Sequence, residues 1–119
     1  MSRALHDLSD TFRPLACELL ARCVEAKIPV MIIDTLRTEA EQADNIAKGV
    51  SWTTRSKHLT GDAIDIAPYV VFDIGGRNEL QWDSDADVWT QIGAIGESVG
   101  LRWGGRWEQR DLGHFEVKA

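Results

Sequence analysis

Between residues 9 and 27 the apolar side chains Phe12, Leu15, Ala16, Leu19, Leu20, Cys23 and Val24 recur every three or four positions. That spacing is the stripe of an amphipathic helix, with Ser9 or Asp10 as its N-cap and Pro29 as its end. Val30-Met31-Ile32-Ile33 is a short apolar run rich in β-branched residues, the composition of a buried strand. Thr38-Glu39-Ala40-Glu41 follows the capping-box pattern and predicts a second helix that Gly49 closes.

The polar stretch 50–61, with Ser51, Thr53, Thr54, Ser56, Thr60 and Gly61, reads as a loop. Ala63-Ile64-Asp65-Ile66-Ala67 reads as a strand that Pro68 stops, with Tyr69-Val70-Val71-Phe72 resuming beyond it. Residues 73–85 are acidic and Gly-rich, as surface loops are, and Asp85 or Asp87 caps a third helix that runs to about Val99, before Gly100. Two short strands, about 101–103 and 114–117, finish the chain and are joined through the Gly104-Gly105 turn and a longer loop. About three helices with four or so short strands, lacking any β-α-β-α alternation, predict an α+β fold in which a small antiparallel sheet packs with the helices. Residues 1–119 form a single domain on this reading, with no linker-like stretch and no internal repeat.

Composition narrows the class without changing the fold. A chain of 119 residues, 44% hydrophobic and 27% charged, can bury a core without staples. Its net charge of −6 is spread along its length with no Lys/Arg cluster, which speaks against nucleic acid or an anionic membrane surface as partner. The N-terminal MSRALHDLSD has no apolar core, so no signal peptide is expected and synthesis is expected in the cytoplasm. No apolar run approaches the roughly 20 residues of a membrane span. Cys17 and Cys23 lie six apart on one predicted helix, on different faces, and are expected as small buried hydrophobes, not as a bridged pair. A monomer is the default expectation.

Candidate chemistry gathers at three residues. Asp65 sits between Ile64 and Ile66 in a short apolar strand, where a buried carboxylate must be paired, hydrogen-bonded or metal-bound. The bland alternative is an Asp that faces solvent. Two of the chain's three histidines, His58 and His114, occupy similar contexts at strand ends beside Gly, Ser or Thr. Two imidazoles and one carboxylate suit a tetrahedral zinc with its fourth position open, the pattern of a catalytic site. In a strand Glu116 shares a face with His114 and is either its hydrogen-bond partner or solvated. His6 reads as a surface residue.

The motifs Ser56-x-His58-x-x-Gly61-x-Ala63-x-Asp65 and Asp111-x-x-His114-Phe115-Glu116, with Arg37-Thr38-Glu39-Ala40-Glu41-Gln42 upstream, resemble the zinc peptidase family that joins D-Ala-D-Ala carboxypeptidases and dipeptidases to phage L-alanoyl-D-glutamate endopeptidases. Residues 103–107, WGGRW, are similar to its phage endolysin branch. The resemblance covers roughly residues 30–119 and implies a hedgehog/D,D-peptidase-like fold. It further implies zinc at His58, Asp65 and His114, Asp111 as general base, Arg37 as a substrate-binding or oxyanion-stabilising group, and Ser56 near the substrate. Asp at position 111, where the carboxypeptidase branch shows Glu, favours an endopeptidase that cuts the L-Ala–D-Glu bond of the peptidoglycan stem peptide. Such an endolysin is made in the host cytoplasm and acts on the cell wall after release, here with no separate wall-binding domain. A D-Ala-D-Ala carboxypeptidase or dipeptidase and a non-catalytic, zinc-stabilised wall-binding module are the alternatives.

Read without the family, Asp111 pairs with Arg110 or Arg106 at the surface, and Arg37 pairs with Glu41. Trp52, Trp82, Trp103 and Trp107 fall in or beside loops, where they either pack or wall a peptide cleft, while Trp89 belongs to the core. The acidic run Asp73…Asp87 is a candidate calcium loop that lacks the full calcium-loop pattern.

Overall fold

The computed structural model describes residues 2–49, 56–70, 79–80 and 83–118. Helix α1 spans Arg13–Glu25 and buries Ala16, Leu19 and Cys23. Its first turn is prepared upstream, where Ser9 Oγ accepts from the Phe12 N–H at 3.2 Å and Ser9 O accepts from Arg13 N at 2.9 Å. Ser9 therefore satisfies donors at the helix entrance, although Phe12 holds the N-cap position. Pro29 does not end the helix. The chain reverses at Lys27, at φ 62°, where Ile28 N donates to Cys23 O and Lys27 N to Val24 O. These are the paired bonds of a Schellman motif, which usually places glycine where Lys27 stands. Left-handed backbone costs an L-residue roughly 1–2 kcal/mol, and Lys27 is exposed. Lys27→Gly is therefore expected to raise stability by about 0.5–1 kcal/mol, net of the entropy glycine adds to the unfolded chain. Urea denaturation checks this as a higher midpoint at unchanged slope.

Strand β1 (Val30–Asp34) pairs antiparallel with β2 (Ala63–Val70), which pairs antiparallel with β5 (His114–Glu116), which pairs with β4 (Arg102–Trp103). The sheet order is β1-β2-β5-β4, and β3 (Glu79–Leu80) joins the far end of β2. Pro68 sits inside β2 without stopping it. Tyr69 N donates to Pro29 O on the β1 side, so by alternation the nitrogen of Pro68 faces the other edge, past the end of the β5 pairing at Asp65.

Helix α2 (Glu39–Ala47) has the full capping box: Thr38 Oγ1 accepts from Glu41 N and Glu41 Oε1 accepts from Thr38 N. Gly49 follows it with positive φ, as expected. Helix α3 (Asp87–Val99) is capped by neither Asp85 nor Asp87; Ala86 holds that place without a side-chain bond, and Asp87 lies in the first turn. There a carboxylate still favours the positive end of the helix.

The core lies between α1, α3 and one face of the sheet: Phe12, Leu19, Ile64, Ile66, Ile92, Leu101 and Phe115 are all buried. Gly96 lets α3 approach the sheet closely, since a Cβ there would stand 2.2 Å from the Phe115 ring. Cys23 is buried as expected, whereas Cys17 is exposed. It falls outside the buried stripe that Ala16, Leu19 and Cys23 define.

Candidate metal centre

The centre stands on the sheet face turned away from the core, and short-range structure aims each donor. Ser56 Oγ accepts from the His58 N–H at 3.2 Å and so caps the single 3-10 turn Lys57–Thr60 that carries His58. His58 is 1% exposed, and its Nδ1 lies 2.7 Å from the carbonyl of Thr35. Its other nitrogen, Nε2, faces Asp65 Oδ1 at 3.1 Å yet has no hydrogen-bond partner among the described residues. The β2–β5 register sets Asp65 directly opposite His114. Gly113 allows the strands to come together, because a Cβ there would meet Ile66 O at 2.4 Å.

His114 Nδ1 lies 3.0 Å from Asp65 Oδ1, and its Nε2 lies 2.8 Å from Glu116 Oε1. Thus one nitrogen of each ring points inward and the other is held from outside. The three inward donor atoms of His58, Asp65 and His114 lie within 4.8 Å of one another. Two imidazole nitrogens and one carboxylate oxygen form a donor set suited to zinc, and a buried nitrogen without a hydrogen-bond partner, aimed at the space between them, fits a cation held there. The outer holds by Thr35 O and Glu116 fix ring orientation, as partners behind metal ligands commonly do.

Electrostatics agree with that fit. Burial works against the Asp65 anion, but the hydrogen bond with His114 and the neighbouring His58 ring outweigh it and hold the carboxyl well below its usual range. Burial likewise disfavours a charged His114, yet the bonds to Asp65 and Glu116 push its pKa up to about 9. The Asp65 carboxylate, ionised between two imidazoles, has the charge state that a metal ligand needs.

A bulge positions the next layer. The β1–β2 register slips between Ile32 and Asp34, which sets Asp34 opposite Asp65. Two carboxylates facing each other across a sheet repel, and Arg37 stands between them. Its Nε donates to Asp34 Oδ2 at 3.0 Å, its NH1 donates to Gln42 Oε1, and its NH2 reaches Asp34 and lies 3.7 Å from Asp65 Oδ2. The guanidinium is thus nearly buried and pairs with Asp34, not with Glu41, whose carboxylate is the cap of α2. Burial raises the Asp34 carboxyl, and the Arg37 bond opposes that rise.

Asp111 lies at the rim. Its Oδ2 is 4.0 Å from His114 Nδ1, and its side chain is 43% exposed. It is not the surface partner of Arg106, which binds Glu97 instead. Burial, then the negative charge of Asp65, raises its carboxyl above the ordinary range, against the pull of His114, His58 and Arg37. That is the direction a general base needs in order to work near neutral pH.

The model of the phage L-alanyl-D-glutamate peptidase family matches residues 1–119. The chain belongs to that family. It is 32% identical over 117 residues to the L-alanyl-D-glutamate peptidase of Escherichia phage T5, covering 91% of this chain and 81% of that protein. It is 33% identical over 104 residues to the enzyme of the same name from Listeria phage A118, covering 87% of this chain and 35% of that longer protein. Among solved structures, the Serratia marcescens L-Ala D-Glu endopeptidase ChiX superposes with a TM-score of 0.74 at 25% identity, over 96% of this chain and 83% of the other.

Within this phage peptidase, the residues singled out from sequence divide by place. His58, Asp65 and His114 meet, with Asp111 at their edge and Arg37 behind Asp65. Ser56 caps the turn of His58. Trp107 is half-buried, its ring 5.1 Å from that of His114. Trp103 does not wall the cleft: opposite Phe115 in the β4–β5 register it shares the core face, and its Nε1 donates to Leu112 O at 2.8 Å. Trp52 and Trp82 lie outside the described residues, as does most of the candidate calcium loop. Of that loop's remainder, Asp83 Oδ1 accepts from Asp85 N and Asp83 O from Trp89 Nε1, both turn-forming contacts. Sequence reading missed Asp34 and Gln42. A carboxylate that closes the apolar run Val30–Ile33, three residues before an arginine, was the available signal for the first.

Proposed function

We propose that this peptidase is a zinc-dependent endolysin that hydrolyses the L-Ala–D-Glu bond of the peptidoglycan stem peptide. The observation that carries the reading is the convergence of His58 Nε2, Asp65 Oδ1 and His114 Nδ1 beside one more carboxylate, Asp111, that is not among them.

An amide is a poor electrophile and water a poor nucleophile. Zinc held by His58, Asp65 and His114 would supply acidified water and a polarised carbonyl. Asp111, half-exposed at the rim, accepts the proton of the attacking water and passes it to the departing amine nitrogen, acting as base and then acid. Arg37, committed to Asp34 and Gln42, holds Asp65 in place and adds fixed positive charge behind the centre. Ser56 supports this arrangement through the turn it caps. Trp107 walls the cleft on the His114 side. Residues 1–119 act as one catalytic domain, and the protein acts as a monomer. Its substrate lies in the bacterial wall, and among the described residues no helix is long and apolar enough to cross a membrane.

Purified muropeptides incubated with the protein should release fragments with a new D-Glu N-terminus, and a chelator should stop that release. Loss of only a terminal D-Ala would replace this reading with a carboxypeptidase. Binding to wall fragments without any cleavage would replace it with a binding module.

A further inference from the structure

The sheet face that carries His114 and Glu116 continues to the edge strand β4, where Arg102 stands opposite Glu116. Beside it opens a groove of about 390 Å³, lined by Glu97, Arg102, Trp103, Arg106, Trp107 and Lys118. The groove adjoins the metal centre, because Trp107 lines the one and packs against His114 of the other. Its charge runs against that of the chain. Three cations and one carboxylate line it in a protein of net charge −6.

Not all of these cations are committed within the fold. Arg106 binds Glu97 through contacts of 3.1 and 2.9 Å, and its guanidinium lies 5.3 Å from the centroid of the Trp103 ring. Arg102 is half-exposed and only loosely paired: Glu116 Oε2 lies 3.8 Å away, within ion-pair range but beyond hydrogen-bond reach. The other oxygen of Glu116 is already taken by His114. Lys118 is exposed and makes no hydrogen bond among the described residues, although its charge is felt by Glu97 across the groove.

We infer that Arg102 and Lys118 form an anion subsite for the free carboxylate of the residue on the amine side of the scissile bond. This rests on the peptidase reading above and adds the group that selects the substrate. A glutamyl residue has two carboxyl groups; one continues the chain and the other is free and ionised at neutral pH. When the bond broken is the one to its nitrogen, that free carboxylate lies only a few bonds from the reacting carbonyl. A guanidinium fork suits it in shape and an ammonium adds charge without a fixed direction. Trp107 between the centre and the groove sets the path along which the peptide lies.

Two peptides test the subsite, one with L-Ala–D-Glu bearing the free carboxylate and one with that group as a carboxamide. The zinc-loaded wild type is expected to favour the acid by about tenfold in kcat/KM, mostly through KM. Arg102→Gln and Lys118→Ala should each lower that ratio, and the double variant should bring it to about 1. Arg102→Lys should restore part of it, and Lys48→Ala, at the C-cap of α2 and outside the groove, should leave it as in wild type. Zinc content and melting temperature, measured on each variant, separate loss of the subsite from loss of fold; Lys118→Ala, at an exposed position, keeps the test open if Arg102→Gln is unstable. Equal rates on the two peptides in wild type, or an unchanged ratio in the double variant, would overturn the subsite. Cleavage of neither peptide by wild type would overturn the peptidase reading, and the subsite with it.

Discussion

His58→Ala is expected to give a chain that carries no zinc and cuts no stem peptide, where wild type carries one ion per molecule. His58 is 1% exposed, and its Nε2 is a buried atom with no hydrogen-bond partner among the described residues. Removing it leaves Asp65 and His114, two donors where a tight zinc site has three or more. The effect on stability should appear with it. An ion present at a thousand times its dissociation constant stabilises a folded chain by about 4.1 kcal/mol. For a chain of this length that corresponds to roughly 15 °C of melting temperature. Chelation should therefore lower the wild-type transition by that amount and leave His58→Ala unmoved. Since the alanine also opens a cavity under Thr35, Asp65→Asn serves as a near-isosteric second variant that removes the anionic donor alone. Elemental analysis and calorimetry read both. Wild-type zinc content retained in either variant would refute the assignment.

Asp111→Asn should do the opposite: keep the metal and lose the reaction. Its carboxylate is 4.0 Å from His114 Nδ1, beside the cluster but outside the set of donors that converge. Positioned proton transfer contributes typically 10²–10⁴ in rate, so kcat is expected to fall by about that factor with KM little changed. Zinc content and melting temperature should match wild type, since the turn around Asp111 is held by main-chain bonds: Asp111 N donates to Gly104 O and His114 N to Asp111 O. A parallel fall in zinc content would make Asp111 a ligand, not a base.

Residue chemistry offered His58, Asp65 and His114 as one reading, the family resemblance chose it, and the structure brings the three side chains together; the secondary structure around them was legible because it depends on chemistry written locally. The capping box at Thr38 and the apolar alternation around Asp65 both carry their own signal, and both elements form where that signal points. The parts that were not legible depend on pairing between distant segments. The bulge in β1 that brings Asp34 opposite Asp65 is a property of register, which no run of five residues announces. Once it is there, Arg37 becomes the bridge between two carboxylates, a different setting from the exposed pair with Glu41 that helix spacing suggested. Pro68 fails as a strand stop for the same reason: its missing N–H matters only if a partner strand lies on that edge. Trp103 reads as a loop residue until β5 pairs with β4 and turns it inward.

Strand β5 is three residues long and has no side chain to spare. Phe115 fills the space above Gly96 while its two neighbours lie on the opposite face of the sheet, His114 beside Asp65 and Glu116 against His114. For anyone wishing to make this enzyme hardier, the strand divides the molecule into ground that is open to redesign and ground that is not. The turn after α1 is open, since nothing catalytic leans on Lys27. The inner side of α3 is closed: the usual replacement of a helical glycine by alanine at position 96 would push the Phe115 ring, and the displacement would arrive one residue away at His114. Durability and accuracy are here negotiated on the same three residues.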